Sequence, residues 1–464
     1  MTLLGPKLAA ARAAGAVSRR AGRGGTSLPG KLLLRLEPHA VAQLAARLPD
    51  GSAVISATNG KTTTAAMVAA ILEHAGRRLV HNRAGANMAG GVAGALLEAA
   101  GRGRAIDGDS GLFEVDEFWL DRLVPELRPR ALLLANLFRD QLDRYGELET
   151  IADRWAAMVA AAPETTLVLN ADDPLVADLG RERAGTESVL FFGVQDAAMA
   201  LPGLQHAADS KHCRRCGAPY RYEHVFLGHL GHYHCDRCGA TRPAPQVVAD
   251  HVALDGLRGA RIGLRTPLGE AQVTLPLPGL YNVYNALGAA ALGIAMGAGL
   301  DDVVAGLEAV SPAFGRAETV RVDGRETLLL LVKNPAGANE VLRTLALEDG
   351  EHDVLAVLND RIADGRDVSW IWDADFEILA GRLRHVTCSG TRAPEMALRL
   401  KYAGVPEDRL HVEPALGAAL DHAVADRRGD AGHPRRLVAI PTYTAMLELR
   451  ELLVERGVAG SSFG

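Results

Sequence analysis

Residues 54–64 read Val-Ile-Ser-Ala-Thr-Asn-Gly-Lys-Thr-Thr-Thr, a β-branched run that stops at Asn59-Gly60 and gives way to helical spacing at Met67, Val68, Ile71 and Leu72. A strand that ends in a glycine turn and opens a helix leaves backbone N–H groups free at the helix N-terminus, where they hold phosphate oxygens. Lys61 supplies a point charge for β/γ-phosphates and the Thr62 hydroxyl faces a Mg²⁺ ion. The full G-x-x-x-x-G-K-[ST] pattern is not met, because Ile55 stands where its first glycine belongs. The flanking strand and helix patterns therefore carry the nucleotide reading against that of a plain strand-to-helix turn.

A chain of 464 residues is long enough for two or three domains. Its net charge of −6 gives no drive toward nucleic acid. No uncharged run approaches the roughly 20 residues that span a bilayer, and no secretory signal is recognised, so the expected setting is the cytoplasm. The first 36 residues lack Asp and Glu but carry Lys7, Arg12, Arg19, Arg20, Arg23, Lys31 and Arg35. Such a segment is either a helix with a solvated face, the reading preferred here, or a peripheral contact with the inner face of the membrane.

Cys213-x-x-Cys216 and Cys235-x-x-Cys238 are 18 residues apart, within the spacing of a tetrahedral zinc site. A chain in a reducing compartment favours zinc over disulfides. Four thiolates close the site, which makes the Zn²⁺ structural. His212, His224, His229, His232 and His234 crowd the segment and read mostly as surface polar residues, and Cys388 reads as core packing.

Short apolar runs at residues 131–136, 166–170 and 189–192, with helical spacing at 151–162, predict a doubly wound parallel sheet. Residues 204–245 form an insertion with the zinc pattern, followed by a strand at 271–277 and a helix at 282–296. The boundary falls near Ser311, so a nucleotide domain over 1–311 is followed by a second α/β domain over 312–464. In the second domain strands are expected at 327–332, 354–358, 385–389 and 436–440, and helices at 339–345, 376–383, 393–402 and 416–425. Loops after strands are where ligands sit in such folds. Glu114 and Asp116 end one apolar piece and suit Mg²⁺ as well as they suit a solvated strand end. Asp360, Asp364 and Asp367 surround Gly365 after another strand, and the aromatic run Ser369-Trp370-Ile371-Trp372 beside them argues against a bland surface.

Taken together, the motifs resemble the Mur ligases, ATP-dependent enzymes of peptidoglycan assembly, over nearly the whole length. The matching pieces are Thr58-Asn59-Gly60-Lys61-Thr62-Thr63, His81-Asn82 with Gly85-Ala86-Asn87-Met88, Glu114-Val115-Asp116-Glu117, residues 136–144, Asn170-Ala171-Asp172-Asp173-Pro174, residues 281–286, Gly315-Arg316 and Lys333-Asn334-Pro335-Ala336-Gly337. The four-cysteine ribbon and the block from Asn359 to Asp373 are similar to the branch of the family that works with a glutaminase subunit.

The resemblance implies a Mur ligase-like ATPase domain followed by a Rossmann-like domain, with ATP, Mg²⁺ and structural Zn²⁺. A substrate carboxylate attacks the γ-phosphate, and a nitrogen nucleophile displaces phosphate from the acyl phosphate. Thr58, Asn59, Gly60, Lys61, Thr62 and Thr63 match the family's nucleotide loop, with Thr62 and Glu114 as magnesium ligands and Lys61 and Glu114 in catalytic roles. Asn282 and Asn285 match the adenine position, and Arg316 the arginine that approaches the phosphates. The implied substrate carboxylate is the α-carboxyl of D-glutamate in lipid II. The implied nucleophile is ammonia from a class-I-type glutamine amidotransferase subunit, GatD in that branch. Asp367 is implied to orient the partner's Cys–His pair as a third member.

Ala57 departs from a common family glycine. Asn359-Asp360-Arg361 lacks the Asp-Asn-Pro-Arg order with which ordinary members bind an incoming amino acid. That departure favours a small nucleophile over the alternative, a Mur or folylpolyglutamate-type ligase that adds an amino acid. A zinc-ribbon NTPase on nucleic acid is the reading from another class, resting on Arg214, Arg215, Tyr220, Arg221, Tyr222 and Arg237.

Overall fold

The computed structural model describes residues 4–20, 27–82, 86–101, 105–140, 148–205, 208–311, 316–425 and 436–458, with the side chains of 17–20, 316 and 317 outside that description. The Val54-Ile55 run lies in β1 (Ser52–Ser56), which is buried along its whole length. The other strands of its sheet are β2 (Leu79–His81), β3 (Ser110–Glu114), β4 (Ala131–Leu134), β5 (Thr166–Asn170), β6 (Val189–Val194), β9 (Val247–Leu254), β10 (Ala260–Thr266) and β11 (Gly269–Leu275). Their order is β11-β10-β9-β6-β5-β4-β1-β3-β2. From β9 to β2 all neighbours are parallel. This is the expected doubly wound sheet, with one difference: β9, β10 and β11 pair antiparallel. The Pro267-Leu268 turn is too short for a crossover helix, so the chain folds back on itself there.

Strand order reverses around β1, which lies between β3 and β4. The crevice at the carboxyl end of β1 is thus a topological switch point, the place where such sheets bind ligands. The loops after β1, β3 and β4 all open there. The helix Leu280–Ala295 covers the sheet and packs against the helix Lys61–His74 that follows β1.

A second sheet holds β12 (Arg316–Val322), β13 (Arg325–Leu330), β14 (His352–Val357), β15 (Leu383–Ser389), β16 (Leu410–Val412) and β17 (Leu437–Pro441), in the order β12-β13-β17-β14-β15-β16. Every pair except β12/β13 is parallel. The expected helix over 376–383 is instead two 3₁₀ turns, Phe376–Ile378 and Ala380–Arg382. The segment is tethered at both ends, by Asp375 N–H on Asn339 Oδ1 (2.7 Å) and by Arg382 on the Ala346 carbonyl (2.7 Å), and Gly381 interrupts it. The closing helix Tyr443–Glu455 was not anticipated, although Met446, Leu449 and Leu453 give it a clear apolar face.

The basic N-terminal segment forms the helices Leu4–Arg20 and Leu28–Leu36, which bury Leu4, Leu8, Ala11 and Leu33. Lys7 pairs with Glu37 at 2.9 Å, and Arg12 donates to the Leu97 carbonyl at 2.7 Å. Lys31 and Arg35 are exposed. Among the described residues no helix is long and apolar enough to cross a membrane.

Candidate active site

Gly60 caps the helix Lys61–His74 with φ +86°, and a Cβ there would lie 2.1 Å from Asn285 Oδ1. Only glycine fits both the backbone and the space. Thr64 N–H makes the first intrahelical bond, to the Gly60 carbonyl (2.9 Å), so the N–H groups before it point into the crevice. Asn136, after β4, holds Asn59 from both sides: its Oδ1 accepts from Asn59 N–H at 2.9 Å and its amide donates to the Asn59 carbonyl at 3.0 Å. Phe138 N–H donates to Thr58 Oγ1 at 3.1 Å. Thr58 and Asn59 are thus held by the strand end after β4.

Lys61 lies almost buried and pairs with Glu117 at 3.0 Å. Burial works against its ammonium, but Glu117, Glu114 and Asp116 outweigh it and raise the pKa. Burial, with the charge of Glu117, raises the pKa of Asp116. Thr62 Oγ1 donates to Glu114 Oε1 at 3.2 Å, so the hydroxyl and the carboxylate expected to hold Mg²⁺ stand side by side. Asn82 fixes the base of this carboxylate by bonds to the Glu114 N–H (3.0 Å) and carbonyl (2.8 Å). Asn282 and Asn285 are buried, joined by a 3.0 Å hydrogen bond, with Asn282 anchored on the Pro278 carbonyl at 2.8 Å.

Residues 58–63, Glu114, Asn282 and Asn285 all line one cavity of about 400 Å³. The second sheet closes it. Lys333 donates to the Thr58 carbonyl at 3.0 Å and pairs with Asp140 at 2.5 Å. Asn334 caps the helix Pro335–Ala346 through Gly337 N–H (2.9 Å) and exchanges amide hydrogen bonds with Asn59 (3.0 and 3.3 Å). Sequence reasoning gave no role to Glu117, Asn136 or Lys333. Arg316 opens β12, but its side chain lies outside the described residues.

Asp367 does not line this cavity. It sits exposed after β14, with Oδ1 accepting from Ser369 N–H at 2.8 Å, and Ser369 holds its carboxyl below the usual carboxylate range. The other two carboxylates of its loop are engaged. Asp364 is buried and accepts from Thr444 N–H at 2.7 Å, and Asp360 binds Thr391 at 2.8 Å and Arg392 at 3.2 Å.

Cys213, Cys216, Cys235 and Cys238 converge with all four Sγ atoms within 4.8 Å of one another, and two pairs stand at 3.5 Å. Ligands of a tetrahedral zinc at about 2.3 Å stand about 3.8 Å apart, so the donor set fits. Each pair makes the same knuckle: Gly217 and Gly239, at φ +72° and +70°, donate to the Cys213 and Cys235 carbonyls (2.7 and 2.9 Å). Burial opposes the Cys213 thiolate, but N–H groups of Arg215 and Cys216 and the Tyr220 hydroxyl hold the thiol at about 6.

The histidines are not ligands in this cluster. His229, expected at the surface, is fully buried, because the hairpin of β7 (Arg221–Leu227) and β8 (Leu230–His234) turns into the core. Arg214 and Arg215 pair with Asp153 (2.5 Å) and Asp178 (2.6 Å), and Arg221 with Asp236. Tyr220, Tyr222 and Tyr233 pack on one another, Tyr233 fully buried. This is a closed cluster, whereas stacking of bases needs an open aromatic face.

The sheet order, the loop after β1 and the carboxylate beside Thr62 define the class of Mur ligases, which form amide bonds with ATP and Mg²⁺. The family model for the Mur ligase middle domain matches residues 55–235, and that for the MurT ligase C-terminal domain residues 331–446. The chain is 31% identical to the MurT subunit of glutamine-hydrolysing lipid II isoglutaminyl synthase of Staphylococcus aureus, over 97% of this chain and 98% of that one. It is 32% identical to the corresponding subunit of Streptococcus pneumoniae, over 97% of each. The chain belongs to the MurT family. Among solved structures, a pseudomurein peptide ligase type C from Methanothermus fervidus superposes with TM-score 0.67 at 23% identity, covering 88% of this chain and 79% of that one. MurF from Acinetobacter baumannii superposes with 0.64 at 19% identity, covering 93% and 80%. These distant structures share the fold.

Proposed function

We propose that this chain activates the α-carboxyl of D-glutamate in lipid II by phosphorylation with ATP, and that ammonia made by a GatD-like glutaminase subunit displaces the phosphate to leave D-isoglutamine. The observation that carries the reading is the grouping of Lys61, Thr62 and Glu114 in a cavity that Lys333, in the loop after β13, also lines. The loop N–H groups and Lys61 take the β- and γ-phosphates, and Lys61 leaves Glu117 for them. Thr62 and Glu114 hold Mg²⁺, which when bound offsets charge on the phosphates. Asn282 and Asn285 hold adenine, and Arg316 approaches the phosphates from the domain junction, taken as residue 311/312.

Ammonium at neutral pH has no lone pair with which to attack. A glutaminase seated on the chain releases the free base beside the acyl phosphate and raises its local concentration. Asp367, exposed and anionic, is the residue that reaches the partner's histidine. The partner as a glutaminase is supported by the names of the relatives. The N-terminal helices, with Leu28, Lys31, Arg35 and Leu36 exposed, keep the solvated face as the preferred reading, and contact with the inner face of the membrane is the second one.

The test is reconstitution. The chain with a GatD-like subunit, ATP, Mg²⁺ and glutamine should convert a D-glutamate-containing lipid II into its amide, and incorporation of an amino acid in place of the amide overturns the reading.

A further inference from the structure

Hairpin turns normally sit at the surface, yet the tip of the zinc ribbon, Leu227-Gly228-His229-Leu230, is buried whole, and Leu227 and Leu230 line the nucleotide cavity. Gly228 N–H donates to Gln205 Oε1 at 2.6 Å, and Gly231 N–H to the Asp172 carbonyl at 2.9 Å. The His229 ring lies against Phe138, centroids 4.7 Å apart, and its Nε2 is 3.4 Å from Asp173 Oδ2. Neither ring nitrogen makes a well-aligned hydrogen bond. A buried polar group of that kind calls for an explanation.

The same Asp173 Oδ2 accepts from Leu137 N–H at 2.8 Å. Leu137 stands between Asn136 and Phe138, the two residues that hold Asn59 and Thr58. The 136–138 wall is thus suspended between the phosphate loop on one side and the ribbon tip on the other. At the far end of the hairpin, the cysteine knuckles fix its strands.

We propose that the ribbon is a working part of the nucleotide site, with His229 a positioning residue that acts through Asp173 and the 136–138 wall on Thr58 and Asn59. The inference rests on the reading of residues 58–63 as the nucleotide loop. Burial opposes an imidazolium at His229, but the charge of Asp173, with Asp209 beyond it, outweighs burial and raises the pKa. The approach of His229 Nε2 to Asp173 Oδ2 at 3.4 Å, rather than shape alone, ties the tip to the wall.

The experiment is binding of a non-hydrolysable ATP analogue with Mg²⁺ to the full chain in complex with its partner, with zinc content measured on the same samples. His229→Leu fills the space without a donor, and His229→Gln keeps an N–H. The leucine variant should bind the analogue about tenfold more weakly with zinc retained, and the glutamine variant should recover to within about threefold, as expected for loss and partial rescue of a buried polar contact. Equal affinity of His229→Leu and the unaltered chain overturns the proposal. Should the leucine variant not fold, Gly228→Ala serves: its Cβ would meet Phe138 Cε1 at 2.9 Å on a φ of +58°, and unchanged affinity there overturns it equally. If the unaltered chain fails to bind the analogue, the nucleotide reading falls first and this inference with it.

Discussion

The phosphate loop and the Asp367 loop both follow parallel strands, yet one is finished within this chain and the other is left open. Around residues 58–63 the polar groups are buried or half-buried and paired: the Asn59 backbone with Asn136 and its side chain with Asn334, Lys61 with Glu117, Thr62 with Glu114. After β14 the base of the loop is equally well tied, by Asn359 N–H on Thr442 Oγ1 (3.0 Å) and by Asp364 on Thr444. Its tip differs. Asp367 is exposed with a local hydrogen bond, Ile362 is 67% exposed, and Tyr443 and Leu447 are exposed on the helix whose Thr444 Asp364 holds. Pre-organised electrostatics suits phosphoryl transfer, which needs positioning and charge more than covalent chemistry from the protein. An open carboxylate among exposed apolar side chains suits a group completed by another subunit.

The largest expected effect separates the two regions most sharply. Lys61→Ala should lower amidation at least about a thousandfold with either glutamine or ammonia as nitrogen source, since it removes a charge aimed at the transferring phosphoryl group. Activity retained with both sources would remove Lys61 from the site. Asp367→Asn should lower glutamine-driven turnover by about 10²- to 10⁴-fold, as loss of an orienting carboxylate does, and leave ammonia-driven turnover nearly unchanged. Equal loss of both would show that the open loop serves the ligase and not the glutaminase.

Legibility from sequence follows the same division. Local features were readable: a β-branched run, a glycine turn and Lys-Thr specify the strand, turn and helix at residues 52–74, and two Cys-x-x-Cys-Gly knuckles specify the four-cysteine cluster. Contacts that cross the fold were not. Nothing adjacent in sequence tells that Glu117 meets Lys61, that Asn136 grips Asn59 across 77 positions, or that Lys333 reaches Thr58 across 275. His229 misled for the same reason, because a histidine in a hairpin turn reads as surface until the turn is seen to enter the core. The aspartates of the Asp360–Asp367 loop looked alike in sequence. Folding assigns Asp364 to the loop base and Asp360 to Thr391 and Arg392, and leaves Asp367 outward.

Smaller effects probe the frames that carry the two regions. In the second sheet, burial alone would raise the Asp353 pKa, but hydrogen bonds from Arg384 and Arg325 outweigh it and lower it. A depressed folded-state pKa stabilises above the unfolded value and is lost as pH falls through the folded one. Asp353→Asn should therefore destabilise by about 3 kcal/mol near neutral pH, as breaking a buried ion pair from one side does, with the deficit narrowing in acid. Denaturant melts at two pH values measure it. A pH-independent deficit would assign it to packing. In the first domain, Cys213→Ser should reduce bound zinc and lower the melting temperature by about 1 to 3 °C, in line with about 1 to 2 kcal/mol for a chain of this size. A metal-free variant with unchanged melting would refute the structural zinc site.

The most direct measurement follows oxygen. With lipid II carrying ¹⁸O in the α-carboxyl of D-glutamate, the account predicts that each amide formed in the presence of ATP, Mg²⁺ and glutamine releases one phosphate bearing one ¹⁸O, because that oxygen leaves with the phosphoryl group. Amide formed with unlabelled phosphate would contradict it, since the carboxyl would then never have been phosphorylated.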